Sequence, residues 1–488
     1  MQKVEVKKAC LRRDVQLKFE ELLSKLKTVA TGISVSTKNI GPGFVFVCVA
    51  GVNADGHEFA KEAIRLGAIL VVCNRDIGVP NQIVVKDTRQ AYARLCAEWF
   101  NSPAKKMKLI AVTGTNGKTT VTTLTKRVLS CLLNEPVGLI GTIQNEIGGI
   151  VCPARYTTPD AHELNAILLQ MRRFGCRYVV MEASSHALAQ ERLFGLEFEV
   201  GVFTNLTHDH LDYHQNMDSY LAAKRKLLDT SRNVIVNIDD DYGRLLFANF
   251  HQQKDCRSVG LRSPADVSAK DINCFADRVE FQVVTNGNAC HCVFGMPGSF
   301  SVENALTVIS ILIQLGFDMK MVVAALEKCG GVAGRAEVVY TAPDVTVIRD
   351  YAHGPSGLLN ILKSFKPFAK GRLVLLFGCA GCRDRSKRKE MAKIAATYAD
   401  FVVLSSDNPR EEPEAQIFSD AEKGLKNVEY LVIANRLEAV HFVLQNRQPG
   451  DLILLAGKGH EDYQVLADCT VYFSEAEIVK KFFDKHID

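Results

Sequence analysis

A series of uninterrupted apolar runs constrains this chain most. FVFVCVA, AILVVC, KLIAVTG, YVVMEA, VGVFTNL, NVIVNI, VTVIRD, LVLLFG, FVVLSS and DLILLAG are spread along it, separated by segments of helical period. A strand that is apolar at every position is buried on both faces, as in mostly parallel sheets covered by helices. The sequence therefore reads as α/β, built from βαβ units. Its 488 residues allow about three domains at roughly 150 residues each. Two seams set the cuts: polar residues 101–108 (NSPAKKMK) and glycine-rich residues 329–335 (CGGVAGR). The expected pieces are an N-terminal α/β domain at 1–106, a central parallel-sheet domain at 107–334 and a Rossmann-like domain at 335–488.

Charge and cysteine usage narrow the function classes. Net charge is only +4, from 59 basic and 55 acidic residues, which argues against a dedicated nucleic-acid or membrane-surface protein. No apolar run reaches the ~18 residues of a membrane span. The start, MQKVEVKKACLRRDV, has charge but no apolar stretch behind it, so no secretory signal is expected. Fifteen cysteines without framework spacing fit reduced thiols in a cytoplasm. A cytoplasmic monomer is expected, with neither nucleic acid nor membrane as partner.

The sharpest motif follows the run at Leu109: Gly114-Thr115-Asn116-Gly117-Lys118-Thr119-Thr120, leading into a helix-compatible stretch. Glycines let backbone N–H groups close around phosphate oxygens, and a helix N-terminus adds partial positive charge. Lys118 would reach the outer phosphates and Thr119 would offer a hydroxyl to Mg²⁺. ATP is the expected nucleotide, although the spacing is shorter than in the common GxxxxGK[ST] form.

Three further features belong with such a loop. Glu182 ends an apolar strand, and strand ends of open α/β sheets face the ligand crevice, so it is a candidate Mg²⁺ ligand. Thr207-His-Asp-His210-Leu-Asp-Tyr-His214 concentrates histidines and carboxylates. It reads either as a zinc cluster that misses the HxHxDH spacing by one residue, or as a loop that sets His210 near Mg²⁺. Lys224 sits in YLAAKRKLL. At about 100° per residue it falls inside the arc of Tyr220, Leu221, Leu227 and Leu228, whereas Arg225 and Lys226 point elsewhere. An amine on a buried stripe must snorkel, pair, shift its pKa or be modified. A carbamate would turn this cation into an anion able to bind metal.

These residues together resemble the Mur ligases, cytoplasmic ATP-dependent amide-forming enzymes of peptidoglycan precursor synthesis, over nearly the whole chain. Within that family the similarity is greatest to the branch adding a third residue. It implies a uridine-binding N-terminal domain, a P-loop ATPase-like central domain and an amino-acid-binding C-terminal domain. It implies UDP-MurNAc-L-Ala-D-Glu contacts from Ser36, Asn53, Thr157, Thr158, Ser184, Gln190 and Arg192. Thr158-Pro159-Asp160 also reads as an N-cap, a proline at N1 and an acidic first turn. Two departures stand out: Tyr156 replaces the family's usual Asn, and Val35-Ser36-Thr37 replaces its Asp-Ser-Arg.

The resemblance places ATP against Asn304, Arg335 and Asp350 as well as the loop. Arg383, Asp407, Asn408, Pro409, Arg410, Gly457 and Glu461 match the amino-acid pocket. Its Asp-Asn-Pro-Arg form resembles members that add meso-2,6-diaminopimelate, whose extra carboxylate suits a bidentate guanidinium. Cys379-Ala-Gly-Cys382 also reads as a thiol redox pair. The implied catalytic set is Lys118, Glu182, His210 and Lys224. Thr119, Glu182, His210 and a carbamylated Lys224 (N6-carboxylysine) would hold Mg²⁺. A ligase for L-lysine or a folylpolyglutamate-type substrate, a nucleotide switch and a zinc hydrolase are the rival readings.

Overall fold

The computed structural model describes residues 18–51 and 54–484. The charged start and Asn53 lie outside the described residues. By its contacts the chain separates into two compact units. The first draws its described residues from Met1–Ile110, Pro136–Glu199 and Asp229–Ser231. The second consists of Ala111–Glu135, Val200–Leu228 and Arg232–Asp488.

The first unit opens with four parallel strands, β1 (Gly32–Ser34), β2 (Phe44–Val47), β3 (Leu70–Cys73) and β4 (Gln82–Val84), in that spatial order. Val45, Phe46 and Val47 are all fully buried, as a run covered on both sides requires. Phe19, Leu22, Leu26 and Leu95 pack on one face, Ala60 and Ala63 on the other. Ser36 caps the short 3-10 turn Thr37–Asn39 by accepting from the Lys38 amide.

Along the chain there follow β5 (Lys108–Thr113), β6 (Val137–Ile140), β7 (Gln144–Ile147), β8 (Ile150–Pro153), β9 (Tyr178–Glu182) and β10 (Phe198–Phe203). Next come β11 (Ser231–Asn237), β12 (Asp255–Gly260), β13 (Val267–Cys274), β14 (Val279–Thr285) and β15 (Asn288–Phe294). In the first unit β6 pairs in parallel with β9 and is extended by the antiparallel strands β7 and β8. In the second, the order is β15-β14-β13-β12-β11-β10-β5. Strands β11 to β13 run parallel, and β13, β14 and β15 form an antiparallel meander. The meander was not legible as an apolar run. β14 buries Val279, Phe281, Val283 and Thr285 and turns the residues between them outward, the period-2 pattern of a sheet covered on one face.

The last sheet holds β16 (Glu337–Ala342), β17 (Val345–Asp350), β18 (Leu373–Phe377), β19 (Phe401–Ser405), β20 (Glu429–Ile433) and β21 (Asp451–Ala456). Its order is β16-β17-β21-β18-β19-β20, parallel except for the edge strand β16. Buried side chains cover both faces, so this is the doubly covered sheet expected for the C-terminal region. Two buried ion pairs, neither legible as such in the sequence, brace its carboxyl end. Arg436 bonds Glu475 and donates to the carbonyls of Ser406 (3.3 Å) and Ala456 (2.8 Å), fixing the spacing of β19 and β21. Arg388 grips Glu412, which also pairs with Arg385 (2.9 Å) and accepts the Cys382 amide at 2.7 Å. The Arg388 guanidinium holds the Glu412 carboxyl down at about 2. Among the described residues no helix is long and apolar enough to cross a membrane.

Candidate functional site

The carboxyl ends of these strands carry most of the residues singled out above, as the crevice rule for open α/β sheets expects. β5 ends at Thr113 and the chain turns through residues 114–117 into the helix Lys118–Leu133. Gly114 has φ +151 and its missing Cβ would collide with the Thr204 hydroxyl. Gly117 has φ +86, and a Cβ there would lie 2.7 Å from Asn304 Oδ1. Both positions therefore demand glycine. The loop is held from behind by two residues the sequence reading missed. Thr204 Oγ1 donates to the Asn116 carbonyl (2.6 Å), and Asn205 accepts the amides of Thr115 and Asn116 through its carbonyl and side-chain oxygens. Those two amides are thereby committed within the protein. Lys118 Nζ lies on the carbonyls of Gly114 and Thr115 at 2.9 and 3.0 Å. Gly114→Ala should lower kcat/KM for ATP by about a hundredfold or more while the thermal transition stays cooperative, because the clash with Thr204 displaces the loop. Steady-state kinetics with varied ATP check this.

Lys224, on the helix Met217–Asp229, is 1% exposed, as its place in the apolar arc predicts. Its amine donates to the Gly114 carbonyl at 2.7 Å and lies 4.6 Å from the Tyr220 ring centroid. Burial, reinforced by Lys118, pushes its pKa well below the usual lysine value, with Asp209 opposing. The amine is thus shifted toward the neutral form, the one that reacts with CO₂. The histidine run disperses. His208 is exposed, His214 stacks on Tyr220 at 4.8 Å, and His210 is in the left-handed region beside Asp209. Among the described residues no three His, Cys, Asp or Glu side chains are arranged to hold a metal ion, so the zinc reading finds no ligand set. Burial works against ionisation of Asp209, but His210, Lys387 and His353 outweigh it and hold the carboxyl low.

Within the second unit, contacts join the nucleotide loop to the last sheet. Asn116 Nδ2 donates to Ser356 Oγ (3.2 Å), which also meets Thr207 Oγ1 (2.9 Å), and Lys387 pairs with Asp209. Arg335 donates to Thr119 Oγ1 (3.0 Å) and lies over the Tyr351 ring, whose hydroxyl reaches Glu461 Oε1 at 3.4 Å. Asp350, at the end of β17, accepts the Ala336 and Ala352 amides with one oxygen each. Burial raises its pKa, against the pull of Arg335. Its orientation is fixed by these bonds.

The acid–base pocket beyond Tyr351 is built on a buried lysine that the sequence reading passed over. Lys458, fully buried, donates to Asn408 Oδ1 (2.9 Å) and Glu461 Oε2 (2.8 Å) and lies 3.6 Å from Asp407. Asp407 Oδ1 is buried and takes no hydrogen bond from the described residues. Two carboxylates against one ammonium leave this corner net anionic. Arg410 adopts φ 54 and donates to the carbonyls of Gly381 (2.9 Å) and Asn408 (3.3 Å), and Arg383 lies exposed on the neighbouring loop. Gly457 follows β21 with φ +107. Pro409 presses its carbonyl where a side chain on Gly381 would be. Cys379 is buried, its thiol pushed up to about 12 by burial, while Cys382 is exposed; every cysteine among the described residues is a free thiol.

In the first unit, Glu182 closes β9 at 1% exposure and accepts the Thr142 amide (2.7 Å) and hydroxyl (3.0 Å). The Thr142 hydroxyl also lies 3.0 Å from Thr157 Oγ1. The helix Ala161–Arg173 is capped by Asp160, which accepts the His162 and Glu163 amides, and not by Thr158 as the pattern suggested. A carboxylate that reaches two orphan amides is the stronger cap. Thr158 instead donates to the Glu182 carbonyl (2.7 Å) and accepts the Ser184 amide (3.0 Å). Ser184 caps the helix Ser185–Ala189. Arg192 donates to the Thr158 carbonyl and bonds Gln190 Oε1 through Nε and a terminal nitrogen.

A phosphate-type loop at a strand–helix junction, tied by Arg335 and Tyr351 to a charged pocket in another sheet, defines a nucleotide-using α/β enzyme. Family profiles agree: Mur ligase family, catalytic domain, matches residues 29–99; Mur ligase middle domain, 112–312; and Mur ligase, glutamate ligase domain, 334–459. The chain belongs to the Mur ligase family. It is 41% identical over 92% of its length to 94% of a UDP-N-acetylmuramoyl-L-alanyl-D-glutamate–2,6-diaminopimelate ligase of Caldanaerobacter subterraneus subsp. tengcongensis. A like-named ligase of Clostridium acetobutylicum is 39% identical, with 96% of this chain and 97% of the relative covered. Among solved structures, a UDP-N-acetylmuramoyl-L-alanyl-D-glutamate–2,6-diaminopimelate ligase superposes with TM-score 0.68 at 31% identity, covering 94% of this chain and 96% of that one.

Proposed function

We propose that the protein is an ATP-dependent ligase that joins meso-2,6-diaminopimelate to the D-Glu γ-carboxylate of UDP-MurNAc-L-Ala-D-Glu in the cytoplasm. The observation that carries this reading is the run Thr119–Arg335–Tyr351–Glu461, which connects the nucleotide loop to a pocket with both an anionic corner and a guanidinium. The pocket suits an acceptor with an ammonium and a spare carboxylate. Asp407, whose buried Oδ1 takes no hydrogen bond from the described residues, and Glu461 suit the ammonium; Arg410 and Arg383 suit the carboxylate.

A carboxylate and an amine do not condense in water because the leaving oxygen is poor. In the proposed sequence the donor carboxylate oxygen attacks the γ-phosphorus of ATP, the bond to the β-bridging oxygen breaks and ADP departs. The acceptor amine adds to the carbonyl of the resulting acyl phosphate, loses its proton, and expels inorganic phosphate. Lys118 and the amides at the start of the helix Lys118–Leu133 neutralise the transferring group. Ser36, Asn53, Thr157, Thr158, Ser184, Gln190 and Arg192 are assigned to the donor by resemblance. Asn304 and Asp350 are assigned to the nucleoside.

The donor set fits magnesium rather than a softer metal. By resemblance the metal falls to the Thr119 hydroxyl, the Glu182 carboxylate and a carbamate on Lys224, all hard oxygens, together with His210. Bound Mg²⁺ would supply charge neutralisation of the phosphates. The three family matches fall in successive stretches, 29–99, 112–312 and 334–459, in keeping with cuts near 106/107 and 334/335; a uridine-binding region first, a nucleotide-binding region in the middle and an amino-acid-binding region last are what the resemblance implies.

The test is phosphate release from ATP with UDP-MurNAc-L-Ala-D-Glu and one candidate amino acid at a time. Release with meso-diaminopimelate and little with L-lysine is expected. Equal rates with L-lysine, or turnover driven by glutamate on a folate, would replace this reading with its relatives. Turnover indifferent to the donor would leave only a nucleotide switch.

A further inference from the structure

The family resemblance leaves Tyr156 without a role, because an Asn is usual there, yet the structure surrounds it with charge. Its ring is 47% exposed, and two guanidiniums lie over it: Arg155 at 5.4 Å and Arg192 at 5.7 Å from the centroid. Both distances are inside the range where a cation is attracted to the electron-rich face of an aromatic ring. The neighbouring backbone is tied down by hydrogen bonds. Two residues on, Thr158 is bonded to the Glu182 carbonyl and the Ser184 amide, and Asp160 caps a thirteen-residue helix. Tyr156 therefore projects from a fixed base. Arg192 is also hydrogen-bonded to Gln190 and the Thr158 carbonyl.

We propose that Tyr156 is a positioning and specificity-determining residue of the donor site: its ring holds the Arg192 guanidinium in register and lets Arg155 approach, so that two cations face the anionic end of the donor. The inference rests on the reading that Arg192, Gln190, Thr158 and Ser184 bind the donor. Side by side in water, two guanidiniums repel. An aromatic face attracts each of them and lowers the rotamer freedom that a long side chain loses on binding. An amide in place of the ring has no such face. A donor bearing carboxylates would feel the loss in binding, not in the chemical step, because neither guanidinium is assigned to the reacting atoms.

The experiment compares wild type, Tyr156→Ala and Tyr156→Phe by phosphate release, varying donor, ATP and acceptor separately. Tyr156→Ala should raise the donor KM about tenfold, with kcat and the KM values for ATP and acceptor within twofold. Tyr156→Phe should match wild type within twofold, since the attraction needs the ring and not the hydroxyl. The inference is overturned if Tyr156→Ala keeps the wild-type donor KM, if all three KM values rise together, or if Phe behaves like Ala. If wild type itself shows no donor-dependent turnover, the functional reading fails instead, so the two failures are told apart. The position is half exposed, and melting curves of the variants should coincide. A lowered Tm with unchanged donor KM would assign Tyr156 to the fold alone and also overturn the inference.

Discussion

Lys224→Ala should lower ligase turnover by about a thousandfold, and added formate or acetate should restore part of it. The structure supplies a reason to expect loss on two separate grounds, and the rescue tells them apart. As a bare amine, Lys224 donates to the Gly114 carbonyl and faces Tyr220, so truncation would loosen the nucleotide loop. If that were its whole contribution, a small primary ammonium such as ethylammonium should restore activity and a carboxylate should not. If the working form is the carbamate, the missing group is an anion with two oxygens, and the carboxylate is its closest small replacement. Its surroundings favour the second account. An ammonium this deeply buried, with Lys118 beside it, is electrostatically disfavoured. A neutral amine can take up CO₂ and become an anion beside Lys118. Intact-mass measurement of the wild-type protein at neutral pH and in bicarbonate should show the added mass of one CO₂, and Lys224→Ala should not. Rescue by ethylammonium alone would return Lys224 to a structural role.

The sequence declared Lys224 because helical periodicity is a property of neighbours: an amine inside an arc of Tyr220, Leu227 and Leu228 has nowhere exposed to go. It declared the glycine positions of the loop for the same local reason. Thr204 and Asn205 were silent because their work is done across strands. Only the adjacency of β10 to β5 brings the Thr204 hydroxyl to where Gly114 cannot carry a Cβ. The strand-end rule, applied to the run ending at Asn205, would have been the signal. Lys458 lay in plain sight between Gly457 and Glu461, but nothing local says that a lysine flanked by glycines is fully buried. Its surroundings are completed by Asn408, which arrives from the loop after β19, fifty residues away, beside the neighbouring Glu461. The N-cap at Asp160 was displaced by two residues because Thr158 found better partners in Glu182 and Ser184, which are distant in sequence. The parallel sheets were readable from continuous apolar runs. The β13–β15 meander was not, since half-covered strands dilute their apolar residues with polar ones.

Arg410→Gly should raise the KM for meso-diaminopimelate about a hundredfold, leave the KM values for ATP and donor unchanged, and keep Tm at or slightly above the wild-type value. The backbone makes this variant informative. Arg410 sits at φ 54, where an L-residue is strained and glycine is not. The fold alone would be served better by glycine, and the two hydrogen bonds from the guanidinium to the carbonyls of Gly381 and Asn408 compete against that gain. If those bonds are why arginine is here, the variant loses Tm and handles every acceptor equally badly. If the guanidinium is here for the ligand, the loss falls on acceptors with a second carboxylate. L-lysine lacks that group, so its poor rate should change little, and the preference of wild type for meso-diaminopimelate should collapse toward unity. Arg410→Lys adds a further test, because it keeps the charge and loses the planar fork. A bidentate partner should discriminate against it by about tenfold or more, whereas simple charge neutralisation would tolerate it. Unchanged selectivity in both variants, with Arg383→Ala abolishing it, would move recognition of the spare carboxylate from the loop after β19 to the loop after β18.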